Sequence, residues 1–589
     1  MKKEMQTMMI YSTKERKTLT NRQITTTNTA ATDDIVKWIV MLAFLITCHS
    51  RINAQSAAVK NVAKSVFTLT AYAADGSVTA TSGGVFVGAD GEAIGLLTPF
   101  IGAARAEVTD CKGNRMEVTR IIGMNEIYDV ARFRVEGRTT PAAVIAGSEK
   151  AGSRLWLVSD AEQQLQSATV NSVETFMDRY SYYILAPGLP SSGASYPLVN
   201  DAGEVVGLMQ PSANSGNIHA TDASFVAALR MNALTFSTPI MQKINIPAAL
   251  PAEQVQAQVM LMLTEQGTDT LKYEAAIADF LKYFPTLSDG YMARARLFTG
   301  QGQYKEADKV MATAIKNVTD KADIHFCYAR LIYNKLTSDA RPYEPWTLNR
   351  ALDEVERALS ISSQPMYSHL KAQILYSKTD YQAAYDIFTQ LMGGSDFNPS
   401  ELLFEAAQCR QMLGAADDEL LVLLDSAVNL TDTTRMNEAA PFFLMRGDVY
   451  NRMERYREAA LDYTRYAVLA PQMTTPEFYY AKAQTETNGR LYQQALADLA
   501  RAAVLAPSEP LYVAELSSLY LRVGETEYAL KTAERCIAIA PEYSTGHVLH
   551  GLALIRNGRR DEGLAALAKA RDMGDEQAQP LIDKYSEQQ

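Results

Sequence analysis

Histidine and cysteine are scarce in this sequence, and their placement excludes several kinds of site. The chain has six histidines in 589 residues, and only His219 lies between positions 55 and 245. The five cysteines are widely separated, with neither a CxxC motif nor the dense spacing of a disulfide framework. We therefore expect no metal site and no cofactor, and we interpret the cysteines as single buried thiols.

An excess of basic charge and a long apolar run are also lacking. The formal net charge is −11, although the first 54 residues carry eight basic and four acidic side chains. Nucleic-acid binding depends on basic contacts to phosphates, so we expect no nucleic-acid partner for this acidic chain. The apolar run that begins at Trp38 has about ten residues, whereas a transmembrane helix needs ~20.

The segment around this run has the order of a secretory signal. Lys37 precedes the run, and polar and small residues follow it to Ala54, which predicts cleavage near that residue. The 37 residues before Trp38 are many for such a signal; an upstream-assigned start codon and a retained signal anchor are two explanations. Cys48 ends a "LITC" segment similar to a lipoprotein cleavage box, although Thr47 fits that box poorly. We predict an exported protein, periplasmic or associated with the cell envelope, whose membrane attachment would need a signal anchor or a lipid.

A period of 34 to 36 residues dominates the second half of the chain. Successive segments, of which "RMERYREAALDYTRYAVLAP" is the first clear copy, place a small residue at one position and, in three copies, a proline twelve residues later. The small residues are Ala459, Ala495, Ala529 and Gly563, and the prolines are Pro471, Pro507 and Pro541. Because proline stops a helix, each segment predicts the second helix of a helix–turn–helix unit. The pattern resembles the tetratricopeptide repeat, which has 34 residues per unit.

The resemblance implies a stacked helical array over residues 254–589, with about eight or nine helical pairs and less regular units upstream. In such an array the first helices line a concave face that binds other proteins or peptides. No in-register set of Lys, Asn and Arg resembles the carboxylate clamp of chaperone-binding tetratricopeptide domains, so we do not expect a C-terminal peptide as the ligand. The predicted peptide-binding groove is lined by Tyr479, Lys482, Tyr512 and Glu515.

Short β-branched runs separated by glycine and aspartate fill residues 55–245, which predicts an all-β barrel or sandwich. Four segments follow one another in the order "SGGVFVGADGEAI", "DVARFRV", "GASYPLVNDAGEVVGL" and "NIHATDASFVAAL". In order and spacing they resemble the chymotrypsin-like domain of HtrA/DegP-type serine proteases. The resemblance implies a double β-barrel, and it implies a serine, a histidine and an aspartate as the catalytic residues.

Each catalytic position can be checked, because a serine nucleophile needs a histidine base and that histidine needs a carboxylate. Asp129 falls at the acid position, where an ordinary aspartate at a strand end would look the same. Thr98 falls at the base position, and threonine accepts no proton at neutral pH. The nucleophile position is Ala194 in one alignment and Ser195 in another. His219 lies in the wrong place for the base, so we interpret it as a structural histidine with satisfied hydrogen bonds.

The predicted fold is therefore multidomain, with an all-β double-barrel trypsin-like domain followed by an all-α tetratricopeptide-repeat superhelix. The expected divisions are an N-terminal extension and signal at 1–54, the β domain at 55–245, a linker at 246–253 and the array at 254–589. We interpret the chain as a scaffold, not an enzyme, whose array and catalytically dead protease-like domain bind other cell-envelope proteins. The alternative is an active trypsin-like serine endopeptidase that the array targets to substrates, with His325 or His369 as the outside candidates for its base.

Overall fold

The structure is a computed structural model and describes residues 57–88, 90–137, 142–159, 165–187, 189, 196–210 and 218–587. The predicted signal, Cys48 and both alternatives for the nucleophile, Ala194 and Ser195, lie outside these residues. The chain divides into two compact units, Met1–Pro251 and Ala252–Gln589. In the part of the chain that the structure describes, no helix is both long and apolar enough to span a membrane.

The first unit contains two closed antiparallel β-barrels of six strands each. The strands of the first barrel are β1 Val66–Tyr72, β2 Val78–Phe86, β3 Glu92–Leu96, β4 Arg105–Asp110, β5 Arg115–Asn125 and β6 Val130–Val135. Those of the second are β7 Arg154–Val158, β8 Leu165–Phe176, β9 Tyr180–Leu185, β10 Pro197–Val199, β11 Val205–Gln210 and β12 Ile218–Asp222. The order around the barrels is β1-β2-β3-β6-β5-β4 and β10-β11-β12-β9-β8-β7. In the described residues, four short α-helices accompany them: α1 Ala57–Val62, α2 Ala223–Ala228, α3 Ala233–Phe236 and α4 Pro239–Gln242.

An apolar core shared by both barrels holds them together, and burial of such side chains is the main stabilising term in folding. It includes Val85, Ile94 and Val130 from the first barrel and Tyr180, Leu208 and Phe225 from the second barrel and helix α2. The two barrels also touch where Gly83 of β2 meets the ring of Tyr196, which precedes β10. A Cβ atom on Gly83 would lie 2.5 Å from Cδ1 of Tyr196, so this contact requires glycine.

The segment predicted as a linker begins on the surface of the first barrel. The backbone N–H of Ile121 donates to the carbonyl oxygen of Pro247 at 2.9 Å, and the N–H of Ala249 donates to the carbonyl oxygen of Ile121 at 2.8 Å. The first unit accordingly extends to Pro251, and the first helix of the second unit begins at Gln254.

The second unit is all-helical, with nine consecutive helix pairs and a last single helix in the described residues. The first five pairs are α5 Gln254–Glu265 with α6 Thr270–Tyr283, α7 Ser288–Gly300 with α8 Tyr304–Asn317, α9 Lys321–Ser338 with α10 Leu348–Ile361, α11 Pro365–Ser377 with α12 Tyr381–Leu391, and α13 Pro399–Met412 with α14 Asp417–Leu430. The others are α15 Ala440–Arg452 with α16 Tyr456–Leu469, α17 Pro476–Asn488 with α18 Tyr492–Leu505, α19 Pro510–Val523 with α20 Thr526–Ile539, and α21 Ser544–Arg556 with α22 Arg560–Asp572, before α23 Ala578–Ser586.

Small residues let the two helices of a pair approach each other closely. Ala459, Ala495 and Ala529 are fully buried, and a Cβ atom on Gly563 would lie 2.7 Å from the carbonyl oxygen of Gly551 on the partner helix. The small residues that repeat in the sequence are therefore the positions at which the two helices of each pair come into contact. The predicted fold class is confirmed, because two β-barrels precede an all-α region built of repeated helix pairs.

Candidate functional site

The register of the first barrel brings the acid position and the base position together. Strands β3 and β6 are antiparallel neighbours, and Leu96 at the end of β3 is paired with Val130 at the start of β6. Thr98 follows β3 in a single 3-10 turn, and Asp129 immediately precedes β6. The two residues therefore meet beyond the paired ends of these strands, although 31 positions separate them in the sequence.

One carboxylate oxygen of Asp129 accepts two hydrogen bonds from Thr98. The backbone N–H of Thr98 lies 2.7 Å from Oδ1 of Asp129, and the Thr98 hydroxyl lies 2.8 Å from the same atom. Asp129 has a φ of +46°, in the left-handed region, and its carbonyl oxygen accepts from the N–H of Leu97 at 3.2 Å. Aspartate tolerates this conformation better than most residues. The carboxylate of Asp129 is thus oriented by a threonine, whose side chain cannot act as a general base.

His219 lies on β12 of the second barrel, in a stack with Tyr182 whose ring centroids are 5.5 Å apart. Its Nδ1 atom is buried and has no hydrogen-bond partner in the part of the chain that the structure describes. The expectation of a structural histidine with satisfied hydrogen bonds is therefore wrong at Nδ1, and the stack with Tyr182 is a contact that the sequence analysis did not predict. No hydrogen bond joins His219 to Asp129 in the described structure, so these two residues do not form part of a triad.

Two histidines of the second unit were candidates for an outside base, and each is paired with a carboxylate of its own unit. Nδ1 of His325 lies 2.6 Å from Oε2 of Glu354, a fully buried residue. Nε2 of His369 lies 2.8 Å from Oε2 of Glu405. Both imidazoles therefore contribute to cohesion between helices of the array.

Of the four predicted groove residues, three are buried inside the array. Tyr479 is 3 % exposed and lies under the guanidinium of Arg501 at 4.7 Å from the ring centroid. Tyr512 is 5 % exposed, and its ring packs against that of Tyr480 with centroids 5.3 Å apart. Lys482 is also buried. Only the fourth residue, Glu515, lines an open cavity.

This cavity, of about 240 Å³, lies between α17 and α19, the first helices of two successive pairs. Glu515 is half-buried in its wall, and burial alone raises the pKa of its carboxyl above the ordinary value. Tyr480, Gln484 and Asn488 line the α17 side, and Arg522 lies near the end of the α19 side. The lining consists mostly of polar side chains on first helices.

Lys482 belongs to a buried charge cluster that the sequence analysis missed. Its Nζ atom lies 3.0 Å from Oε1 of Glu486 and also contacts the carboxylate of Asp498. Oε2 of Glu486 is buried and has no hydrogen-bond partner among the described residues, and burial raises the pKa of this carboxyl to about 7. One cation thus serves two carboxylates between α17 and α18.

The preceding pair carries an equivalent interaction 36 residues earlier. Arg446 on α15 is buried and donates to both carboxylate oxygens of Asp462 on α16, from Nε at 2.7 Å and from Nη2 at 2.9 Å. Arg446 and Asp462 each stand one repeat before Lys482 and Asp498. A basic residue thirteen positions before the small residue, with an aspartate three positions after it, was the signal in the sequence for both buried pairs.

No group of three or more histidine, cysteine, aspartate or glutamate side chains could hold a metal ion among the residues that the structure describes. The exposure of the cysteines differs, because Cys327, Cys409 and Cys536 are buried thiols whereas Cys111 is exposed. Comparison of the chain with known proteins finds no matching family model and no matching curated protein.

Proposed function

We propose that this chain is an exported protein-interaction scaffold whose helical array binds other cell-envelope proteins and whose protease-like domain is catalytically dead. The observation that carries the proposal is the pair of hydrogen bonds from Thr98 to Asp129. In an HtrA/DegP-type protease the acid would orient a histidine at this point, and the histidine would take the proton of the serine. Here a hydroxyl and a backbone amide satisfy the acid, so no proton acceptor stands at the base position.

The resemblance to tetratricopeptide repeats supports the binding half of the proposal. Small residues close the helix pairs at the predicted period, as in Ala459 and Ala495, which are fully buried. Units of this kind stack on their neighbours and leave the first helices to line a continuous face. The cavity beside Glu515 lies between two such helices and gives that face a recess of about 240 Å³ for a side chain of another protein.

An active endopeptidase would need a base that the first unit does not provide in its described residues. His219 makes no hydrogen bond to Asp129, and the outside candidates His325 and His369 are each engaged with a glutamate. A serine hydroxyl without a base is a weak nucleophile. We therefore expect no hydrolysis of unfolded casein by the purified full chain, and no difference between that chain and its Ser195→Ala variant.

Site-specific photo-crosslinking in the native cell envelope tests the scaffold. A photoreactive amino acid at Ser518, on the cavity wall of α19, should capture a reproducible set of envelope proteins. The matched control is the same amino acid at Lys531, which is exposed on the second helix α20 and should not capture that set. Equal capture at both positions would contradict binding through the first helices, and casein cleavage that is lost in Ser195→Ala would contradict the dead protease. Fractionation of the same cells, with the chain found inside the cytoplasm, would contradict export.

A further inference from the structure

Glu515 is half-buried between helices of the array and forms no ion pair with a cation among the residues that the structure describes, unlike several buried carboxylates nearby. Glu354 is paired with Arg350 and Arg357, and it also contacts His325. Asp462 is paired with Arg446, and Asp498 is paired with Lys482. Burial raises the pKa of the Glu515 carboxyl, and no hydrogen bond to this carboxylate is found in the described part of the chain.

Burying an ionised carboxylate costs free energy unless a cation or hydrogen-bond donor accompanies it. For Glu354, Asp462 and Asp498 the array itself provides such a cation. At Glu515 the space where a cation would stand is the cavity between α17 and α19. Arg522 also lines the cavity, but the described structure contains no ion pair between its guanidinium and the carboxylate of Glu515. The cavity thus leaves room beside Glu515 for a positive group brought by another molecule.

The residues on the other walls of the cavity also favour a positively charged group. The ring of Tyr480 lines the cavity and packs on Tyr512, and the charge of Glu515 acts on Tyr480 strongly enough to contribute, after burial, to a raised pKa of that phenol. An aromatic face next to a carboxylate attracts a cation through both charge and the ring quadrupole. Gln484 and Ser518 add hydrogen-bonding groups on the two sides of the cavity.

The size of the cavity limits what enters it. Its volume of about 240 Å³ is below the usual range of ~300–1,000 Å³ for small-molecule pockets. A single long side chain fits this space, with an apolar stem along the tyrosine and a charged head at the carboxylate. Lysine and arginine have this shape and charge.

We propose that the cavity binds a lysine or arginine side chain of a partner protein, with its cationic head at Glu515 and its stem against Tyr480. The inference rests on the proposed function of the array as a protein-binding surface and names the chemistry of its partner. A basic segment on the partner also matches the net charge of −11 of this chain.

Selection of peptides by the full chain from a random twelve-residue library displayed on phage tests the inference. The recovered peptides should share a lysine or arginine at one position. Replacing that residue in a synthetic peptide by uncharged norleucine or citrulline should weaken binding about tenfold or more, measured by fluorescence anisotropy. This change is made on the peptide, so its result does not depend on the folding of any variant.

Variants of the chain give the complementary test. Glu515→Gln, which has the shape of the protonated carboxyl, should weaken binding of the selected peptide to the same extent as norleucine does. Glu527→Gln is the control, because it makes the same charge change at an exposed position on the second helix α20. Glu515→Lys should select peptides that carry aspartate or glutamate instead.

Three results would overturn the inference. Selected peptides without a common basic residue would do so, and so would unchanged affinity in Glu515→Gln. In both of these cases the array still binds peptides and the proposed function survives. If the full chain selects no peptide at all, the inference fails together with the protein-binding role of the array.

Discussion

Thr98 and Asp129 are joined by two hydrogen bonds to a single carboxylate oxygen, one from the backbone N–H of Thr98 and one from its hydroxyl. Hydrogen bonds to an ionised acceptor are stronger than those between neutral groups. The pair therefore serves to close the first barrel at the ends of β3 and β6. The carboxylate of Asp129 thus has a structural role, because it joins two segments that lie 31 positions apart in the sequence.

Asp129→Ala should lower the free energy of unfolding of the first unit by roughly 1–3 kcal/mol, because both charge-assisted bonds are lost. Calorimetry of the full chain would measure the change. Asp178→Ala is the control, since Asp178 also has a positive φ, of +58°, but is exposed in a turn. The Asp178→Ala variant places alanine at a similarly strained backbone position, but it removes no hydrogen bond from Thr98. Equal losses in the two variants would mean that strain, not hydrogen bonding, accounts for the effect.

Gly83→Ala should destabilise the first unit by roughly 1–3 kcal/mol, because overpacking forces neighbouring side chains to move. The new Cβ atom would lie 2.5 Å from Cδ1 of Tyr196 and 2.7 Å from its Cε1. Gly147→Ala should have little effect, since no atom lies within 4 Å of its added Cβ. A double-mutant cycle with Tyr196→Ala should show that the cost of Gly83→Ala falls once the ring is removed. An unchanged cost would show that the two barrels do not touch here.

Glu486 should make the array less stable as pH rises. Burial raises its pKa from 4.5 to about 7, so the folded state holds this proton more tightly than the unfolded state. The resulting stabilisation is present in full below pH 4.5, falls as pH rises and is lost above the folded pKa near 7. The charged groups that face it are Lys482 and Asp498.

Urea unfolding of the full chain at several pH values between 4.5 and 8 measures this slope. Glu486→Gln should flatten it, because glutamine does not titrate. The control Glu458→Gln removes an exposed carboxylate from α16 and should leave the slope unchanged. A slope that persists in Glu486→Gln would assign the pH dependence to another group.

Lys482→Met should destabilise the array by about 3–5 kcal/mol at neutral pH, because removal of one partner leaves buried carboxylates without a cation. Glu486 and Asp498 would both lose the Nζ atom that they share. Thermal unfolding followed by circular dichroism measures the loss, with Lys531→Met on an exposed position as the control. Adding Asp498→Leu and Glu486→Gln to Lys482→Met should restore much of the stability, since replacing an entire buried ion cluster by neutral groups is often close to neutral. Failure of this rescue would mean that Lys482 acts mainly through packing.

The helical half of the chain was predictable because its determinants are local. A small residue every 34 to 36 positions and a proline after each second helix can be read from the chain itself. It was harder to predict which residues of each helix are buried and which line the open face. Tyr480 and Gln484 line the cavity of α17, whereas the neighbouring Tyr479 and Lys482 pack inside the array. Successive residues of a helix are rotated by about 100° about its axis. A shift of one residue in the predicted face therefore exchanges an exposed position for a buried one.

The sequence by itself determined the fold class of both units and the scarcity of histidine in the first, because strand alternation, repeat period and residue identity can be read along the chain. Only the tertiary structure decided that Thr98 donates two hydrogen bonds to Asp129, that Lys482 is shared by two carboxylates and that Glu515 lies in the wall of a cavity. These relationships depend on strand register and on contacts between successive helices, which join residues far apart in the chain. Hydrogen bonds and ion pairs form only between groups that lie close in space, and folding determines which groups those are.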